Sequence, residues 1–200
     1  MSYPEYAKVN NKLYKINTDF KVALKCEEIA NSDVSDEERA LAIIYLLFGD
    51  EGLDNPKDYE ILLEKAQKYL SCGKELEKNT DVPDMDFEQD KSFIKASFYT
   101  DYGIKDIYNT EMHFWEFMDL MNGLKPDCVL NRVREIRNYD TSGIKDAKTL
   151  SQLNKQKQAV ALKRKEVTLT DEEQQNVDNF LKAINYKKWG DKTKWTVGLQ

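Results

Sequence analysis

Few side chains in this 200-residue chain are of types that do chemistry at neutral pH, and their spacing argues against catalysis. Its only histidine, His113, falls in the first turn of an apolar helix. An imidazole can donate or accept a proton, but no second histidine or nucleophile stands beside it, so a packed or helix-capping role is expected. Asp90 falls inside an apolar stripe, where a carboxylate is costly unless paired. It is expected to form a structural ion pair with Arg132, Arg134 or Arg137. Cys26, Cys72 and Cys128 are far apart in sequence and lack the close pairing that a zinc site needs, so reduced structural thiols are expected. No metal or cofactor site follows from these residues, and the chain does not read as an enzyme. Lys187, Lys188, Lys192 and Lys194, interleaved with Tyr186, Trp189 and Trp195, resemble a minimal nucleic-acid-binding tail. The chain is acidic overall and lacks a recognisable binding motif for nucleic acid, so the two tryptophans favour a protein partner.

The charge is divided along the chain. Residues 1–124 carry 14 Lys+Arg against 26 Asp+Glu, whereas residues 125–200 carry 16 against 10. Such asymmetry predicts either attraction between the two parts or a basic part that meets an acidic partner. The longest apolar run, Leu41 to Phe48, is too short to cross a bilayer. The start, MSYPEYAKVNNKLYK, is polar and has no apolar stretch of the kind a secretory signal requires.

The elements that must position these residues read as helices. Residues 6–16 place two short apolar-bearing runs around Asn10-Asn11, a pair suited to a tight turn, and predict a small hairpin. Thr18 or Asp19 caps a first helix with Phe20, Ala23 and Leu24 on one face. Ser35-Asp36-Glu37-Glu38 is a capping box ahead of the apolar helix that ends at Gly49. Asn55-Pro56 starts a third helix, with Leu62, Leu63, Ala66, Tyr69 and Leu70 as its stripe. Asp84 or Asp86 is expected to cap a helix carrying Phe87, Ile94 and Phe98, which Tyr102-Gly103 ends. Thr110 then caps a helix with Phe114, Phe117, Met118 and Met121 on one side. These two are expected to pair as an antiparallel hairpin at the core centre. After Pro126 another helix carries Val129, Val133 and Ile136 on one face. Beyond Tyr139 the character changes: residues 145–166 have only a thin apolar seam, and Thr170-Asp171-Glu172-Glu173 caps a last helix.

The run Asp90-x-x-Phe93-Ile94-x-Ala96-x-Phe98-x-x-x-Tyr102-x-Ile104, followed by His113-x-Trp115-x-Phe117-x-x-Leu120, resembles a family of small helical proteins from long-tailed bacteriophages and prophages of Gram-positive bacteria. Ile16-Asn17-Thr18-Asp19-Phe20 and the arginine-bearing segment after Pro126 fit it too. The resemblance implies a tail-assembly chaperone encoded just before the tape-measure gene, with no catalytic motif.

Together these readings predict an all-α protein: a compact bundle of about six helices over residues 18–139. A small hairpin within 1–17 precedes it, and a basic helical arm with a tail follows over 140–200. The expected function is to bind the tape-measure protein and keep it soluble. A structural tail or head-tail connector protein retained in the virion is the alternative, and a nucleic-acid-binding regulator a second. Phe114, Trp115, Phe117, Met118 and Met121, with Trp189 and Trp195, are the expected partner-facing residues; Asp90 and His113 are expected to be structural. Partners would be the tape measure, a companion tail-assembly protein, tail tube subunits and a second copy through 145–166. No membrane is expected, and the place of action would be the host bacterial cytoplasm, with the protein absent from the mature virion.

Overall fold

A computed structural model describes residues 2–74 and 83–163. The expected capping box at Thr170, the last helix and the tail with Trp189 and Trp195 lie outside the described residues. Eight α-helices and one two-stranded antiparallel sheet are formed among the described residues. The strands make the fold mostly helical rather than purely all-α. By contacts the chain divides into two units, one holding residues 2–74 and 112–116, the other 83–111 and 117–163.

In the first unit, β1 (Tyr6–Val9) pairs with β2 (Lys12–Lys15), with Ala7 opposite Tyr14 and Lys8 opposite Leu13. Asn10 makes the turn at a φ of 51°, a left-handed conformation that asparagine tolerates. The inward residues Ala7, Val9 and Tyr14 are buried. Helix α1 (Phe20–Ala30) starts where the Asp19 carboxylate accepts from the Lys21 N–H at 2.9 Å, and it buries Phe20, Ala23 and Cys26. Helix α2 (Asp36–Phe48) carries the full capping box, Ser35 taking the Glu38 N–H while Glu38 takes the Ser35 N–H. Its buried face is Leu41, Ile44, Leu47 and Phe48. Burying each of these stabilises the unit by about 1.5–3 kcal/mol. A single-turn helix, α3 (Asp50–Leu53), follows directly and has no counterpart in the sequence reading. It packs tightly because Gly52 has no side chain: a Cβ there would lie 2.8 Å from that of Phe48. The expected Asn55-Pro56 start gives a 3-10 turn, Pro56–Asp58, before α4 (Tyr59–Leu70).

In the second unit, the helix expected from Asp84 or Asp86 begins later than the sequence suggests. Asp86 accepts from the Glu88 and Gln89 N–H groups in a local turn, and α5 (Lys91–Tyr102) starts only after Asp90. Asp86 thus caps the turn rather than the helix. Gly103 ends α5 at a φ of 72°. Thr110 does not cap the next helix either; its hydroxyl donates to the Asp106 carbonyl at the end of a second 3-10 turn, Ile107–Asn109. Helix α6 (Phe114–Asn122) lies in the first unit through Glu116 and in the second from Phe117. Within the second unit, Phe98 stacks on Phe117 at 5.5 Å, and Tyr102, one turn on, donates to the Leu120 carbonyl at 2.8 Å. The contacts advance in the same sense along both helices, whereas an antiparallel hairpin would reverse them. The long connection over 103–113, with its own turn, removes the constraint that would have forced the reversal.

Helix α7 (Val129–Asn138) buries Leu130 and Val133. Its first N–H groups are met by Ser97 Oγ, which accepts from Leu130 at 3.0 Å, and by Cys128 Sγ, which accepts from Asn131 at 3.4 Å. Helix α8 (Ala147–Val160) packs on α7; its Leu150, Leu153 and Val160 are half-buried, and no residue of it is buried fully. No helix among the described residues is long and apolar enough to cross a membrane.

Candidate partner interface

His113 and Trp115 sit where the first unit closes on itself. The backbone of Met112 and Phe114 runs beside Thr18 and Phe20, with Phe20 N–H donating to the Met112 carbonyl and Phe114 N–H to that of Thr18. His113 Nδ1 accepts from the Trp115 N–H at 3.0 Å, and Nε2 lies 3.1 Å from the Pro4 carbonyl. Both contacts are satisfied by one species, the neutral imidazole with its proton on Nε2. His113 is therefore a helix cap for α6 and a tether for the residues before β1, with Tyr3 stacked on its ring at 4.9 Å. Trp115 is half-buried: its indole N–H donates to the Tyr69 carbonyl at 2.9 Å, and the two rings lie 6.1 Å apart. A side chain at Gly73 would press on the indole at 3.3 Å. Burial pushes the Tyr69 hydroxyl up, and it has no hydrogen-bond partner among the described residues.

A second polar knot fixes the hairpin. Asp58, 6% exposed, accepts from Tyr14 Oη at 2.9 Å, Asn10 Nδ2 at 2.8 Å and Asn55 Nδ2 at 2.9 Å. The Tyr14 hydrogen bond, then those of Asn55 and Asn10, hold its carboxyl below the usual carboxylate range. Burial and the Asp58 carboxylate together push the Tyr14 hydroxyl up to about 12. Nothing in the sequence marked Asp58: Asn55 lies only three residues away, but Asn10 and Tyr14 reach it from the hairpin, 48 and 44 residues earlier.

Two points of the second unit complete the picture. Asp90, 1% exposed, is held by both Nη atoms of Arg137 at 2.7 Å. Arg137 also donates to the carbonyls of Asp84 and Val160, so one guanidinium ties the lead into α5, the end of α7 and the end of α8. Gln89 and Lys163 add a reciprocal pair, side-chain amide to backbone, at 3.1 and 2.8 Å. Of the segment read as an arm over 140–200, the described part, which ends at residue 163, is held by these bonds within the second unit.

The expected partner-facing residues separate on burial. Phe114 and Phe117 are 5% and 0% exposed, so both are core residues. Trp115, Met118 and Met121 are half-buried. The most exposed large apolar side chains among the described residues are others: Leu13 at 61%, Tyr99 at 59%, Tyr6 at 55%, Tyr139 at 47% and Tyr3 at 36%. For Tyr6 and Leu13 the signal existed. Apolar residues at both odd and even positions of a two-stranded sheet put some of them on each face, and only one face can be covered. Tyr6, Lys8, Leu13 and Lys15 form the outward face, in cross-strand pairs Tyr6 with Lys15 and Lys8 with Leu13.

Among the described residues no three His, Cys, Asp or Glu side chains converge as a metal-binding set. Burial pushes the Cys26 thiol up to about 12, which makes it inert. A family model described as Bacteriophage Gp15 protein matches residues 4–162. Comparison with curated proteins and with solved structures gives no match.

Proposed function

This chain belongs to the bacteriophage Gp15 protein family, and on that premise we propose that it is a tail-assembly chaperone, which binds the tape-measure protein and keeps it soluble until tail tube subunits displace it. A tape-measure protein is a long, helix-prone chain whose apolar seams need cover before the tube forms around it. The observation that carries this reading lies in the second unit. Met118 and Met121 stand half-buried on α6 and Tyr99 is 59% exposed on α5, while Phe98 and Phe117 of the same two helices stack in the core. Methionine adapts to irregular surfaces and tyrosine supplies contact area at low entropic cost, which suits a binder of many similar helical turns. The work is binding rather than catalysis, and it is done in the host cytoplasm.

The test is a binding measurement with fragments of the tape measure encoded beside this gene. Tyr99→Ser and the pair Met118→Ser/Met121→Ser should each weaken binding by tenfold or more with the helical content unchanged. Binding that is unaffected by all three substitutions overturns this assignment of the face.

A further inference from the structure

We infer that the outward face of the hairpin is a docking surface for a second copy of this chain, and that it receives the acidic corner between α1 and α2 of that copy. The face combines two observations. Tyr6 and Leu13 are 55% and 61% exposed although both are large and apolar. They alternate with Lys8 and Lys15, both exposed, so each apolar side chain has a lysine directly opposite on the neighbouring strand. The inner face of the same hairpin is buried through Ala7, Val9 and Tyr14, and Asp58 grips it by Tyr14 and Asn10. The face is therefore held in one shape before any partner arrives, which lowers the entropic cost of docking.

The chain itself carries the complement. Residues 27–38 hold six Asp or Glu and no Lys or Arg. Glu27, Glu28, Asp33, Asp36 and Glu37 are exposed; Glu28 is paired with Lys25 and Asp36 with Arg39, and Val34 is half-buried among them. A basic and aromatic face on one molecule and an acidic corner on the next attract over about a Debye length and fix the register of contact. A single contact between these two different surfaces is head-to-tail and leaves one hairpin face and one acidic corner free on the pair. Repetition of that contact gives an open row or a ring. This does not depend on the chaperone reading, since it concerns the chain alone; a row of copies would also supply the repeated cover that a long partner needs.

The experiment uses the full chain without any partner. Sedimentation velocity over a range of concentrations, at low and high salt, reads the association. Lys8→Glu/Lys15→Glu and, separately, Asp33→Lys/Glu37→Lys should each raise the concentration for half-association by tenfold or more. Mixing the two variants in equal amounts should restore it, because the reversed surfaces complement each other. Tyr6→Ser/Leu13→Ser should abolish association at any salt, and circular dichroism checks that each variant is folded. A wild-type chain that stays monomeric throughout, or a mixture that fails to recover association, overturns the proposal.

Discussion

Arg137 grips Asp90 at two points, Nη1 to Oδ2 and Nη2 to Oδ1, both at 2.7 Å, in a setting where the carboxylate is 1% exposed. Removing one partner of such a pair leaves the other buried and uncompensated. Asp90→Ala is expected to cost about 3–5 kcal/mol, read as a fall in the urea midpoint. Amide exchange near Val160 and Lys163 should rise as well, because Arg137 also holds the Val160 carbonyl. The exposed Lys95 pair with Asp106 provides the contrast: Lys95→Ala should leave the midpoint almost unmoved.

The Asp58 knot makes hairpin stability depend on pH in two directions. The Asp58 carboxyl is depressed, so its contribution is complete above the ordinary carboxylate range and is lost as pH falls through the folded value. The Tyr14 hydroxyl is pushed up to about 12, so its contribution is complete below the ordinary tyrosine value of about 10 and is lost as pH rises toward 12. Urea midpoints from pH 7 down to 3 should fall for the wild type. The decline should be shallower for Tyr14→Phe, which removes the leading cause of the Asp58 shift.

His113→Ala removes a cap and a tether together. The loss should be about 1 kcal/mol for the cap, with faster amide exchange in residues 3–5. His113→Asn, whose side-chain oxygen can accept from the Trp115 N–H, should recover the cap but not the Pro4 contact. A variant as stable as the wild type would contradict the assignment.

Tyr69 carries a buried hydroxyl with no partner among the described residues, flanked by the rings of His113, Phe114 and Trp115. Tyr69→Phe should therefore be neutral or stabilising by up to about 1–3 kcal/mol, the desolvation cost it relieves. A loss of stability would mean that the hydroxyl is bonded.

Local chemistry was legible in the sequence where one residue decides it. Asp19, the Ser35 and Glu38 box, Asn10 and Gly103 all act where a cap or turn was expected, because each satisfies or terminates backbone within a few residues. Asp86 and Thr110 misled because a local turn and a 3-10 turn use the same side-chain chemistry as a helix cap. Burial was less legible still. Phe114 and Phe117 have the spacing of an anchor stripe, but a core stripe has the same spacing, and only tertiary contacts distinguish the two. The exposure of Tyr6 and Leu13 follows from alternation along the two strands, but which apolar residues face outward is decided by the register of the hairpin.

The central claim is tested most directly by co-expressing this chain with its tape-measure protein and measuring mass by size-exclusion chromatography with light scattering. The account predicts that the tape measure becomes soluble and elutes with several copies of this chain, and that Tyr99→Ser lowers its yield. A tape measure that stays insoluble while this chain elutes alone would contradict it.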